Sequence, residues 1–301
     1  MNPPPEHAHA VMHCNLNTVD QARAEAYYTT LFEIAPRMRS TGKGVDATCM
    51  GMPSRTDSET VFLYDRRGPR AAPALELVEW QTPATVAPTP PPGAPGLTAI
   101  GYRVPSLSRI RGHLAESGHD PVEVAGGSMV RGAHRPAVRL RDPDGVVVEL
   151  VEIEHAPSDP QSALISHERL SCADLSASLR WYSRIGFAAR ARGEGWISLV
   201  LPPDPTFSLE LDQAPTGGAT PQRTANTQGL YRIALAVDDV RAAYAALAAS
   251  GHPGLQQPSF IPMPDVPTGG FTVLFLADPD GVVVELVERP RTEVRRPAEP
   301  R

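Results

Sequence analysis

Six residues carry side chains that move protons or ligate cations, and each lies in a segment with the pattern of a strand. His13 stands in VMHCNLNT, Glu76 in PALELVEW and Glu149 in VVVELVE, while His167 stands in LISHERLS, Glu210 in SLELD and Glu285 in a second VVVELVE. Residues two apart share a strand face, so His13, Asn15 and Asn17 look one way and Met12, Cys14 and Leu16 look the other. The apolar set is expected under a helix, and the polar set on the opposite, concave face, where a small molecule could sit. Glu149 is flanked by Val148 and Leu150, a setting in which an unpaired carboxylate is costly. Carboxylates gathered in a partly dry cleft need a positive partner, or their pKa values rise.

The elements that position these residues show as internal repeats. VRLRDPDGVVVELVE returns as LFLADPDGVVVELVE, identical over eleven residues from Asp142 and from Asp278. In DPDG, Pro and Gly occupy the second and fourth turn positions between β-branched runs, which predicts a β-hairpin in each copy. Upstream, HCNLNTVDQARAEAYYTTLFEIAPR pairs with HERLSCADLSASLRWYSRIGFAAR, each a strand, an Asp at a helix start and about three helical turns. GLTAIGYRVPSLSRIRGHLAESG and GLYRIALAVDDVRAAYAALAASG form a third pair, ending at a helix-stopping Gly. Strand–helix starts near residues 11, 97, 165 and 230 therefore predict four βαβββ modules. Taken in chain order they give two domains, 8–154 and 162–289, with flexible tails at 1–7 and 290–301.

Paired βαβββ modules, an early strand His and a final DPDG hairpin with its Glu resemble the vicinal oxygen chelate superfamily over nearly the whole chain. That superfamily includes glyoxalase I, extradiol dioxygenases and the bleomycin resistance proteins. The resemblance implies an α+β fold, with tandem domains each forming a curved, cup-like sheet with helices outside. It also implies that metal ligands come from the first and last strands of paired modules. Carried over, the first domain offers His13, Glu76, Ala99 and Glu149, and the second His167, Glu210, Arg232 and Glu285. The third position, commonly His in the family, is Ala in one set and Arg in the other.

Within the second set, Arg232 is expected to lie between Glu210 and Glu285 and to make a degenerate, metal-free site, because guanidinium fits carboxylates bidentately. In the first set, His13, Glu76 and Glu149 are expected to hold a divalent ion, Fe, Mn, Co, Ni, Zn or Mg. Ala99 and Gly101 leave room for substrate, and Asn15, Asn17, Gly101 and Arg103 are the expected substrate contacts. Arg103 could instead neutralise the first site as Arg232 does the second. Pairing across the halves is also open: His167 and Glu210 would then meet Ala99 and Glu149, and His13 and Glu76 would meet Arg232 and Glu285.

The expected function is Lewis-acid chemistry of isomerase or lyase type on a small oxygenated metabolite, with Glu76 or Glu149 as general base. One alternative is a metal-free drug- or metabolite-binding protein of the resistance type. The other is an extradiol dioxygenase, whose triad of two His and one carboxylate the sequence does not complete. A formal net charge of −6, from 28 basic and 34 acidic residues without a basic block, speaks against nucleic acid as a partner. No apolar run suits a membrane. Three scattered cysteines without a CxxC pair suggest neither a disulfide framework nor a thiolate zinc site. A cytoplasmic monomer or weak homodimer is the expectation.

Overall fold

The computed structural model describes residues 7–88, 94–153, 163–215 and 224–298. The centres of the three Pro- or Gly-rich connectors and residues 1–6 of the expected N-terminal tail lie outside them.

The first module comprises β1 (Ala10–Thr18), α1 (Gln21–Phe32), β2 (Ala35–Val45), β3 (Thr56–Tyr64) and β4 (Ala74–Thr82). The second comprises β5 (Gly96–Val104), α2 (Leu107–Glu116), β6 (Val122–Glu123), β7 (Ser128–Val130), β8 (Ala133–Arg135), β9 (Ala137–Arg141) and β10 (Val147–Glu152). The third runs through β11 (Leu164–Cys172), α3 (Leu175–Arg184), β12 (Ala188–Gly193), β13 (Trp196–Leu201) and β14 (Asp204–Gln213). The fourth holds β15 (Gly229–Val237), α4 (Val240–Ala249), β16 (Ser259–Pro262), β17 (Gly270–Ala277) and β18 (Val283–Glu288). Each helix starts on a side-chain cap, Asp20, Ser106, Asp174 or Asp239, which accepts a first-turn backbone N–H. Among the described residues, no helix is long and apolar enough to cross a membrane.

The described strands form two eight-stranded mixed sheets, with β7 and β8 paired apart as a two-stranded ribbon, giving the expected α+β fold. The first sheet has the order β16-β17-β18-β15-β1-β4-β3-β2 and the second β12-β13-β14-β11-β5-β10-β9-β6. Modules therefore pair across the halves of the chain, first with fourth and second with third. At the two central seams β1 runs antiparallel to β15, and β11 antiparallel to β5. This is the second of the two arrangements left open by the sequence, and it regroups every candidate site residue.

The two modules of one half remain linked between sheets. The Tyr28 hydroxyl on α1 donates to Asp142 Oδ2 at 2.8 Å, and that of Tyr182 on α3 to Asp278 Oδ2 at 3.0 Å. The other oxygen of each Asp accepts backbone N–H groups of its DPDG turn. The repeated Asp thus both closes its hairpin and holds a helix of the preceding module. One core, which includes Leu16, Tyr28, Tyr102, Leu170, Tyr182 and Leu235, draws on both sheets.

The segment beyond Glu288, expected as a flexible tail, is instead docked over its described part. The Arg296 side chain is buried and donates from Nε to Asp204 Oδ2 at 3.0 Å and from Nη2 to the Val11 carbonyl. Asp204 also accepts the Val11 N–H, so the C-terminal segment bridges first and third modules. Charge pairing with a buried Asp, which composition alone does not show, supplies the anchor.

Candidate functional site

A cavity of about 500 Å³ opens in the first sheet, with His13, Glu76, Arg232 and Glu285 among its lining residues. β1, β4, β15 and β18 are consecutive neighbours there, and each contributes one of the four. Asn15 stands opposite Arg232, and His13 opposite Ala234, across the central seam. The Arg232 guanidinium donates from Nε to Glu285 Oε2 and from Nη2 to Glu76 Oε2, both at 2.8 Å. His13 Nε2 lies 3.3 Å from Glu76 Oε2 and 3.4 Å from Glu285 Oε2, buried and without a hydrogen-bond partner.

Burial pushes the Glu285 carboxyl up, but Arg232, helped by His13, more than reverses this and holds it near a pKa of about 2. Burial likewise acts to lower the Arg232 pKa, yet the charges of Glu76 and Glu285 raise it. Each shift has the same physical origin, a guanidinium shared between two carboxylates in a dry site.

Asn15 and Asn17, expected to touch substrate, instead serve the residues that do line the cavity. Asn15 Nδ2 donates to Glu76 Oε2 at 2.9 Å. Asn17 accepts from Trp80 Nε1 at 3.3 Å and donates to the carbonyls of Ala225 and Thr227, tying a cavity wall to the fourth module. Met12, expected on the apolar face, lines the cavity together with His13. A register irregularity between Val11 and His13 breaks the strict alternation there.

Glu149, the third expected ligand beside His13 and Glu76, lies in the second sheet, because β5 and β10 pair with β11 rather than with β1. There Glu149 Oε2 meets His167 Nε2 at 2.9 Å and Arg169 Nε at 2.8 Å, while Oε1 accepts from Arg139 Nε and Ser128 Oγ. Burial raises its pKa, but His167, Arg169 and Arg139 bring it well below the ordinary carboxylate range. Glu210 accepts from Ser208, Ser198 and the Arg131 backbone N–H. The expected set of His167, Glu210, Arg232 and Glu285 is thus divided, two residues to each sheet.

The second cup is filled by protein. The β7–β8 hairpin carries Arg131, in the left-handed region at φ 54°, and its guanidinium donates to the carbonyls of Ser166 and Thr206. Gly101 and Arg103, expected beside His13, stand on β5 in this second sheet, and Gly101 faces His167. A Cβ at position 101 would overlap the His167 ring. Gly101→Ala is therefore expected to displace His167 from Glu149 and cost about 2–4 kcal/mol, read from the shift of the urea midpoint.

The donor chemistry of the open site does not fit a divalent ion. The Oε2 atoms of Glu76 and Glu285 are already bound to a fixed cation, the Arg232 guanidinium, which supplies the charge an ion would bring. Among the described residues no group of three or more His, Cys, Asp or Glu is arranged to hold a metal. In the second cup Ala99 leaves that position free of charge, but Glu149 and Glu210 are answered by Arg139, Arg169, His167 and the hairpin.

Sequence reasoning missed the cavity's apolar walls. Phe62, Trp80, Phe271 and Phe275 line it together with Met38 and Met263. Phe271, Val273 and Phe275 alternate along β17 and line one face, a signal that was available. His167 and Arg169 also alternate on β11, which could have pointed to Arg169 as a partner of the second-cup carboxylates.

Residues 164–286 match the family model described as Glyoxalase/Bleomycin resistance protein/Dioxygenase superfamily. Among solved structures, glyoxalase I from Zea mays is 19% identical, with 94% of this chain and 92% of that chain covered and a TM-score of 0.64. A candidate dioxygenase from Bacillus subtilis is 12% identical, with 93% and 85% covered and a TM-score of 0.68. At these identities the likeness is one of fold. No curated protein matches the sequence at a significant level. The segment 164–286 is thus similar to the Glyoxalase/Bleomycin resistance protein/Dioxygenase superfamily, and the chain as a whole shares the fold of these solved structures.

Proposed function

We propose that the chain is a metal-independent small-molecule-binding protein whose ligand enters the cavity of the first sheet. The observation that carries this reading is the double ion pair of Arg232 with Glu76 and Glu285, which supplies internally the positive charge that an ion would bring. The walls suit a bulky, largely apolar ligand, because aromatic and methionine side chains offer area without a hydrogen-bonding demand. Neither metal-assisted isomerase or lyase chemistry nor extradiol ring cleavage is supported by this donor set. It contains one imidazole, two carboxylates and a guanidinium bound to both.

A second reading is favoured by His13 alone. Its buried Nε2, unpartnered and facing the cavity between two carboxylates, is placed to take a proton from a bound ligand without a metal. Exchange of a ligand C–H for deuterium in D2O, lost in His13→Ala, would identify this activity.

The binding reading is tested by metal analysis and by thermal shift with aromatic small molecules, with and without EDTA. The expected result is no stoichiometric ion, and ligand-induced stabilisation unchanged by the chelator. A stoichiometric ion that is lost in His13→Ala would overturn it.

A further inference from the structure

We infer that the cavity selects an aromatic molecule whose buried end is a protonated nitrogen, an organic monocation. This assignment rests on the metal-free reading of the same site. Glu76 and Glu285 bring two negative charges to the floor, and Arg232 answers them with one. The remaining charged residues of the lining are engaged elsewhere or exposed. Arg39 pairs with Glu25 at 2.6 Å, Arg289 pairs with Glu293 at 2.8 Å and lies over the Phe271 ring, Asp265 accepts the Thr41 N–H, and Arg37 is exposed. Of the described lining residues, His13 is then the other group able to answer the second carboxylate.

A ligand ammonium seated beside His13 takes over that role. It places a positive charge against two carboxylates in a site of low dielectric, where the attraction is strongest. The His13 Nε2, which has no hydrogen-bond partner, lies beside the same floor and is displaced from its role between the carboxylates. Phe62, Trp80, Phe271 and Phe275 line the same cavity, and aromatic side chains favour both an organic cation and an aromatic body. A carboxylate ligand would add a third negative charge to the floor. A neutral hydroxyl would satisfy His13 but leave the charge imbalance.

The experiment uses the full chain, freed of metal and held at pH 8, where an alkylammonium probe is still protonated. Quenching of Trp80 emission, with Trp80→Phe as the signal control, is titrated with 1-naphthylmethylammonium, 1-naphthylmethanol and 1-naphthylacetate. The ammonium is expected to bind at least about tenfold more tightly than the alcohol, with the acetate weakest. In Glu285→Gln the ammonium is expected to lose about tenfold while the alcohol changes less than about twofold. If that variant does not fold, the wild-type ranking decides. An alcohol or acetate that binds as tightly as the ammonium, or failure of all three probes to bind, overturns the assignment. The metal-free reading fails by a separate outcome, retention of a stoichiometric ion dependent on His13.

Discussion

Arg232→Ala is expected to lower the folding free energy by about 3–5 kcal/mol at pH 7 and to abolish selective ligand binding. The substitution leaves the Glu76 and Glu285 carboxylates facing each other in a dry site, with Asn15 donating to one and His13 close to both. In the wild type the Glu285 pKa is depressed from 4.5 to about 2. Its contribution is therefore fully present above about pH 4.5 and is lost as the pH falls through about 2. Without the guanidinium the shift reverses, because burial then dominates and ionisation is penalised. The difference between variant and wild type should be largest at pH 7 and should shrink towards pH 3. Urea unfolding at both pH values measures this, and a gap that is small at pH 7 or independent of pH would show that the carboxylates do not depend on Arg232. The double variant Arg232→Ala with Glu285→Gln should recover part of the loss, since one of the repelling charges is gone.

Glu168→Leu is expected to change stability in the opposite direction. Glu168 lies on β11, fully buried on the strand face opposite His167, with the weakly donating Cys14 thiol beside its carboxylate. Burial raises its pKa from 4.5 to about 8, with the neighbouring Cys14 thiol acting weakly the other way. The folded pKa lies above the unfolded one, so stability is highest below about pH 4.5 and is lost as the pH rises towards 8. At pH 7 the penalty is about 3 kcal/mol, from roughly 1.4 kcal/mol per pKa unit. Glu168→Leu should remove that penalty and flatten the stability profile between pH 5 and 8, whereas Glu168→Gln should gain less because its amide remains buried. A pair of thermal unfolding series at pH 5 and pH 8 decides this, and a wild-type profile already flat in that window would refute it.

Much of the site was legible in the sequence as residues. His13, Glu76 and Glu285 stand out from strand alternation and the repeated VVVELVE, Arg232 from the position that the family resemblance implies, and the need for a positive charge among carboxylates predicted the kind of role that Arg232 plays. Pairing in chain order puts Glu149 with His13 and Glu210 with Arg232, whereas pairing across the halves, equally open in the sequence, groups His13 and Glu76 with Arg232 and Glu285 as observed. The cavity walls were harder to see, because an aromatic or methionine residue reads the same whether its strand face meets a core or a cavity. The β7–β8 hairpin that fills the second cup carries no pattern that distinguishes it from a surface turn.

The amino-acid sequence by itself determined the modules: four strand–helix starts with their caps, two hairpins closed by the same Asp, and strands whose alternation fixes which side chains share a face. Those features rest on interactions within a few residues, which the local sequence contains. Tertiary structure decided which module joins which. β5 and β15 present the same kind of seam to β1, and the choice depends on contacts between segments more than 200 residues apart, such as Asn15 with Arg232. That choice sends the arginine to the first cup and leaves it open, while the second is closed by its own hairpin.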